Sequence, residues 1–351
     1  MSVMIDEIAE QPAAVEATWR SLRRERDALR RLLAGRRHVL FVARGSSDNA
    51  AVYGRYLLES LGLLQAALAA PSIATHYGRR LELSDTCVVS VSQSGETEEI
   101  VRTQTWAADC GAATVAVTND AGSSLADAAD IALVTQAGLE RAVPATKSYT
   151  TQLVAMIALA AAAAPDPGPL ERAVERAPAQ MQTLIDDRLG IDRAVEVLAG
   201  SEQTLVAGRG LALGTAMEIA LKLEETCLRP VRGLSYADLR HGPIAVVEAG
   251  LATILVAAQD GPMLTGMTEL GMDLRSRGAA VIAVGGDAEF VAGAGVAVPG
   301  PDLPETVAPL GLVLPGQLIV ESLAGHLGLD PDTPRGLAKV TMTDPTTGGH
   351  E

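Results

Sequence analysis

Cys87-Val-Val-Ser-Val-Ser-Gln-Ser-Gly-Glu-Thr97 runs an apolar stretch straight into a loop of hydroxyls around one glycine. The stretch Cys87 to Val91 is apolar but for Ser90 rather than alternating, as expected for a parallel strand covered on both faces. Beyond the loop, Glu98, Glu99, Ile100 and Val101 begin a helical pattern. Strand, Ser/Gly loop and helix in that order make half of a βαβ unit. Gly95 permits a tight turn, and amides at a helix start point at whatever occupies the loop. With the hydroxyls of Ser92, Ser94 and Thr97 and the amide of Gln93, the loop is a neutral, donor-rich cradle suited to a phosphate monoester. Ser and Thr are also ordinary helix caps, so this loop alone leaves both readings open. The companion Arg44-Gly-Ser-Ser-Asp48 follows another apolar run and offers Ser46 and Ser47 to the same ligand, which favours the cradle.

The strand belongs to a repeat. His38-Val-Leu-Phe-Val-Ala-Arg-Gly45 matches Gln203-Thr-Leu-Val-Ala-Gly-Arg-Gly210, Cys87 to Gly95 matches Thr253 to Gly261, and Ala113 to Val117 matches Ala280 to Val284. The offsets are 165, 166 and 167 residues, in order. Internal repetition of this kind sets the fold: two tandem doubly wound, flavodoxin-like α/β domains with parallel sheets, their sites at the carboxyl ends of strands. The expected division is a helical segment over 1–34, a first domain over 35–164, a linker and helix over 165–200, a second domain over 201–330 and an irregular tail over 331–351. Pro165-Asp-Pro-Gly-Pro169 marks the linker. The second copy of the cradle, Ala257-Ala-Gln-Asp-Gly-Pro262, has lost its hydroxyls, and Asp260 would repel phosphate. One ligand site per chain is therefore expected, held mainly by the first half.

The 351 residues suit two cores, built from aliphatic side chains because aromatics are 3% of a 48% hydrophobic composition. A net charge of -15 disfavours nucleic acid or an anionic membrane as partner. It does not exclude a small phosphate ester bound by local amides. Cys87, Cys110 and Cys227 have neither metal nor redox spacing and read as buried thiols of a cytoplasmic protein. No apolar signal core opens the sequence. The run Leu153 to Ala164 is too short to span a membrane and reads as a buried helix.

Five segments in order carry a resemblance. Ala43-Arg-Gly-Ser-Ser47, Ser92-Gln-Ser-Gly-Glu-Thr97, Pro144-Ala-Thr-Lys-Ser-Tyr-Thr-Thr-Gln-Leu153, Asp238-Leu-Arg-His-Gly-Pro-Ile-Ala245 and Thr333-Pro-Arg-Gly-Leu-Ala-Lys339 resemble the sugar-isomerase (SIS) part of the glucosamine-6-phosphate synthase family. Glu7-Ile-Ala-Glu-Gln-Pro12 resembles the opening of that part. The family's glutaminase domain, with its N-terminal cysteine nucleophile, precedes this region. Here the sequence opens almost at the isomerase segment with Ser2, so chemistry without glutamine hydrolysis is expected. Ala145 stands where the family pattern has serine.

The resemblance implies substrate binding by Gly45, Ser47, Ser92, Gln93, Ser94, Thr97 and Val143, and catalysis by Glu225, His241 and Lys339. Each residue type suits its task. A carboxylate such as Glu225, on an apparent helix beside the competing Glu224, can carry a proton between sugar carbons 1 and 2. An imidazole suits ring opening; His241 sits in a loop-like spot before an expected strand Ile244 to Val247. A lysine amine such as Lys339 forms a Schiff base at a ketose carbon. Lys147 reads as structural or near the ligand. The family also implies a homodimer in which His241 comes from the neighbouring subunit. The expected activity is deamination of glucosamine 6-phosphate to fructose 6-phosphate and ammonia, with no metal or other cofactor. An aldose–ketose isomerase or a sugar-amine-phosphate deglycase on the same scaffold remains open, as does a non-catalytic sugar-phosphate sensor.

Overall fold

The computed structural model describes residues 2–339. Strands β1 (His38–Val42), β2 (Gln65–Leu68), β3 (Thr86–Val91), β4 (Ala113–Thr118) and β5 (Ile131–Val134) form one sheet in the order β2-β1-β3-β4-β5. Strands β6 (Gln203–Gly208), β7 (Val231–Ser235), β8 (Leu251–Ala257), β9 (Ala280–Gly285) and β10 (Val296–Val298) form the other, in the order β10-β9-β8-β6-β7. Read from opposite edges, both are the 2-1-3-4-5 winding of flavodoxin-like domains. All pairings are parallel, with Leu40 beside Val88 in the first sheet and Leu205 beside Thr253 in the second. The segments matched across the sequence repeat thus become equivalent strands. Every residue of β3, β4 and β8 is buried, which explains why none of them alternates between apolar and charged residues.

Helices Val3–Ala9, Gln11–Leu22 and Arg26–Leu33 make up the N-terminal segment. The alanine-rich run lies in the helix Lys147–Ala163, buried along nearly its whole length. It packs against helices Ser46–Ser60 and Gln11–Leu22. Close approach there depends on Gly54, where an added Cβ would fall 2.6 Å from Met156 Sδ. The helical stretch expected near 170–200 divides into Gly168–Asp186 and Ile191–Ala199. Between them the chain turns at Gly190 with φ 80°, a conformation natural to glycine.

The strand expected at Ile244 to Val247 is absent. Pro243–Val246 is instead a 3-10 turn. Gly242 at φ 128° and the missing N–H of Pro243 preclude a ladder there, and the buried strand is β8. His241 closes the short helix Tyr236–Arg240, its N–H bonded to the carbonyls of Ala237 and Asp238. Residues 330–339 carry neither helix nor strand, and the rest of the expected tail, 340–351, lies outside the described residues. All three cysteines are buried and unpaired with one another. Among the described residues no helix is long and apolar enough to cross a membrane.

Candidate functional site

A cavity of about 430 Å³ opens at the carboxyl ends of β1 and β3, where the winding of the first sheet reverses. Such a crevice is where open α/β sheets take their ligands. The loop after β1 enters it through Gly45, at φ 57° and ψ −133°, a conformation essentially confined to glycine. The loop after β3 turns at Gly95 with φ 65°, where an added Cβ would fall 2.2 Å from Ser123 Oγ. Both sterics and backbone therefore demand glycine at that corner.

The second loop is held by its own hydrogen bonds. Ser92 Oγ accepts from Gly95 N at 3.2 Å, and Ser94 Oγ accepts from Glu96 N at 3.2 Å. Gln93 O accepts from Asn119 N at 3.0 Å and from Thr118 Oγ1 at 3.2 Å. Glu96 reaches across to Ser124 N and Oγ, each at 2.8 Å. Thr97 precedes the helix Glu98–Asp109 without its hydroxyl capping that helix, which leaves the hydroxyl beside the cavity with Ser92 Oγ 3.3 Å away. Gln152 Nε2 donates to Ser47 Oγ at 3.0 Å, so the Ser47 hydroxyl proton is free for a ligand. Arg44 stands at the rim, where Glu99 binds it in bidentate fashion at 2.9 and 3.0 Å. That pairing keeps the donor cluster close to neutral.

The second half supplies another wall of the same cavity. Helix Leu213–Cys227 places Glu218, Lys222 and Glu225 on one face by i, i+4, i+7 spacing. Lys222 is fully buried, bonded to Glu225 and 3.6 Å from Glu218. Burial works against its ammonium, but the two carboxylates outweigh burial and raise its pKa. Burial pushes the Glu218 carboxyl up to about 7, against the pull of Lys222 and the hydrogen bond from Asn49 Nδ2 at 2.9 Å. Asn49 sits on helix Ser46–Ser60, so this contact joins the two halves beside the site. Lys222 and Glu225 line the cavity, whereas Glu224 is not among its lining residues.

The tail closes the arrangement through Leu337, Ala338 and Lys339. Lys339 Nζ donates to Glu140 Oε2 at 2.7 Å and to Ala142 O at 2.6 Å. Glu140 is fully buried. Burial raises its pKa, but Lys339 and the amides of Ser148 and Thr146 more than reverse that and hold it low. The structure thus brings Gly45, Ser47, Ser92, Gln93, Ser94, Thr97 and Val143 to one cavity with Glu225 and Lys339. His241 is exposed and does not line it. Lys147 is buried away from the ligand space, bonded to Glu10 and to Leu139 O at 2.7 Å. Ala145, at the position of the family serine, lines the cavity.

Lys222, Glu218, Glu140 and Gln152 were not singled out from sequence. The spacing of Glu218, Lys222 and Glu225 on an otherwise apolar helix was the available signal, since three charges on one face of a buried helix must face one another. Glu140 gave none, because its partner lies 199 residues away. Among the described residues no three His, Cys, Asp or Glu side chains gather as a metal site.

Residues 32–162 match the family model of the SIS domain. The isomerising glutamine–fructose-6-phosphate aminotransferase of Thermococcus kodakarensis is 32% identical over 349 residues, an overlap of 96% of this chain and 57% of that protein. The chain thus spans little more than half the length of that curated relative. A solved protein of Silicibacter pomeroyi DSS-3, described as a phosphosugar isomerase, superposes with a TM-score of 0.86 at 32% identity, over 95% of this chain and 100% of its own. The C-terminal domain of glucosamine-fructose-6-phosphate aminotransferase from Francisella tularensis superposes at 0.87 with 25% identity, over 95% and 98%.

Proposed function

This chain belongs to the SIS-domain family of sugar-phosphate enzymes, and we propose that it deaminates and isomerises glucosamine 6-phosphate. Water and the amino sugar give fructose 6-phosphate and ammonia. The observation that carries this reading is that Glu225 and Lys339 share one cavity with the hydroxyl cradle of the first sheet.

The cradle of Ser47, Ser92, Gln93, Ser94 and Thr97, with Gly45 and Val143 beside it, binds the phosphoryl end through uncharged donors and helix-start amides. The His241 imidazole of a second copy of this chain protonates the ring oxygen and frees the aldehyde at carbon 1. Glu225 then takes the proton from carbon 2 and returns it to carbon 1. The intermediate is an enolamine with its double bond between those carbons. Lys222 beside Glu225 offsets charge developing on the enolate-like oxygen. The product imine at carbon 2 loses ammonia to water, directly or after the Lys339 amine has displaced it.

The test is ammonia release over a panel of 2-amino-hexose 6-phosphates, with ketose 6-phosphate measured alongside. Ammonia and ketose are expected in equal amounts, and Glu225→Gln is expected to lower turnover by at least about a hundredfold, in the range of a lost general base. Full turnover in both Glu225→Gln and His241→Ala would overturn the residue assignment. Ketose formed from a plain aldose 6-phosphate, with no ammonia from any amino sugar, would replace deamination by simple isomerisation.

A further inference from the structure

The tail that carries Lys339 has no helix or strand of its own, so a few contacts must fix its place. One is the pair of hydrogen bonds from Lys339 to Glu140 and Ala142. Those bonds occupy the very amine that must be free to attack a carbonyl. The other tie is Asp332. Its carboxylate accepts Val3 N at 2.8 Å and Met4 N at 2.7 Å, and its carbonyl accepts Val143 N at 2.8 Å. Among the described residues the remaining hydrogen bonds from 331–339 to earlier residues go only to the adjacent Asp330, from Asp332 N at 2.9 Å and Thr333 Oγ1 at 2.5 Å.

The partners of Asp332 are themselves anchored. Met4 and Ile8 on helix Val3–Ala9 are fully buried, and Ser2 Oγ donates to Glu321 at 2.7 Å. Further along that helix Glu7 accepts Arg141 N at 2.5 Å and Ala142 N at 3.3 Å. The helix thereby braces both the tail and the 141–143 segment, and Val143 and the tail both line the cavity. This gives the Glu7-Ile-Ala-Glu-Gln-Pro12 motif a task that the cradle and the base do not.

We propose that Asp332 is the positioning residue for Lys339, holding the tail over the cavity while the amine leaves Glu140 to react. The proposal rests on the imine role given above to Lys339. In that step the amine nitrogen adds to carbon 2 of the product imine and ammonia departs; added ketose 6-phosphate gives the same adduct, its carbonyl oxygen departing as water. Borohydride, supplied as reductant, adds hydride to the imine carbon and fixes the adduct as a secondary amine.

The experiment compares the native chain with Asp332→Ala, Lys339→Ala and the double variant. Asp332→Ala is expected to lower kcat and the yield of borohydride-trapped Lys339 adduct by about tenfold or more, as a loosened reactive group does. Competition by inorganic phosphate should change by less than about threefold, because the cradle is untouched. The double variant should be no slower than Lys339→Ala, since one residue acts through the other. Native kcat and trapping in Asp332→Ala would overturn the proposal, and so would an undiminished Asp332 effect in the Lys339→Ala background. Native turnover in Lys339→Ala would instead remove the imine assignment itself. Should Asp332→Ala fold poorly, Asp332→Asn keeps one acceptor and is expected to fall between it and the native chain.

Discussion

Lys222 is a cation held between two carboxylates, Glu218 and Glu225, in the interior. Lys222 and Glu225 line the cavity. Glu218 has no such outlet, and its carboxyl is raised from 4.5 to about 7 chiefly by burial. A carboxyl whose folded pKa lies above its unfolded one binds more protons folded than unfolded between those values. Its contribution to stability is whole below about 4.5 and is lost as pH rises through about 7. Replacing Glu218 by Gln should flatten the fall of Tm across that window relative to the native chain, read by thermal melts at a series of pH values. Equal slopes in the two proteins would show that Glu218 does not titrate there. At this scale Glu225 was named through the family resemblance, with Glu224 beside it as a competitor, and of the two only Glu225 lines the cavity. The sequence hid Asp332 and Glu140, whose hydrogen-bond partners come from the far end of the chain.

The helix Leu213–Cys227 carries Lys222 and Glu225 to the first half, and it does so by crossing helix Ser46–Ser60 at close range. Gly214 marks the crossing: an added Cβ would lie 2.4 Å from Asn49 O, a backbone atom that cannot swing aside. Glycine to alanine in a helix gains about 1 kcal/mol of propensity, and forced overpacking costs about 1–3 kcal/mol. The clash should win at this position. Gly214→Ala is expected to lose about 1–2 kcal/mol in urea unfolding and to reduce kcat as the helix moves away from the cradle. A stabilised variant would mean that the crossing yields more easily than its geometry implies. The buried alanine-rich helix was readable not from periodicity but as an apolar run too short to span a membrane. The strand expected after His241 was not real, because four apolar residues behind Gly242 and Pro243 satisfied the local pattern without the flanking ladder a strand needs.

For the whole molecule, the distance between His241 and the cavity within one chain turns the homodimer into a measurable claim. If a second copy supplies the imidazole, Glu225→Gln and His241→Ala chains are each inactive alone but restore one complete site when they pair. Mixed and reassociated in equal amounts, they should recover about a quarter of native activity, as random pairing into symmetric dimers gives. No recovery on mixing, with dimers formed, would place the ring-opening group elsewhere. The duplication was the most legible feature of all, since three strand segments recur at nearly constant spacing. The departure from that regularity was legible too, in the lost hydroxyls and the Asp260 of the second loop.

At the switch point of the second sheet, the space between the loops after β6 and β8 is taken by Glu305. Its carboxylate lies where an added Cβ at Gly261 would come within 2.2 Å of it, and its N–H is held by Asp260 at 2.8 Å. A fixed side chain has settled into the berth that a phosphate ester would need, and it brings its own negative charge. The second switch point is thereby plugged by the protein's own side chain where the first stands open, so the two sheets share a winding but not an opening.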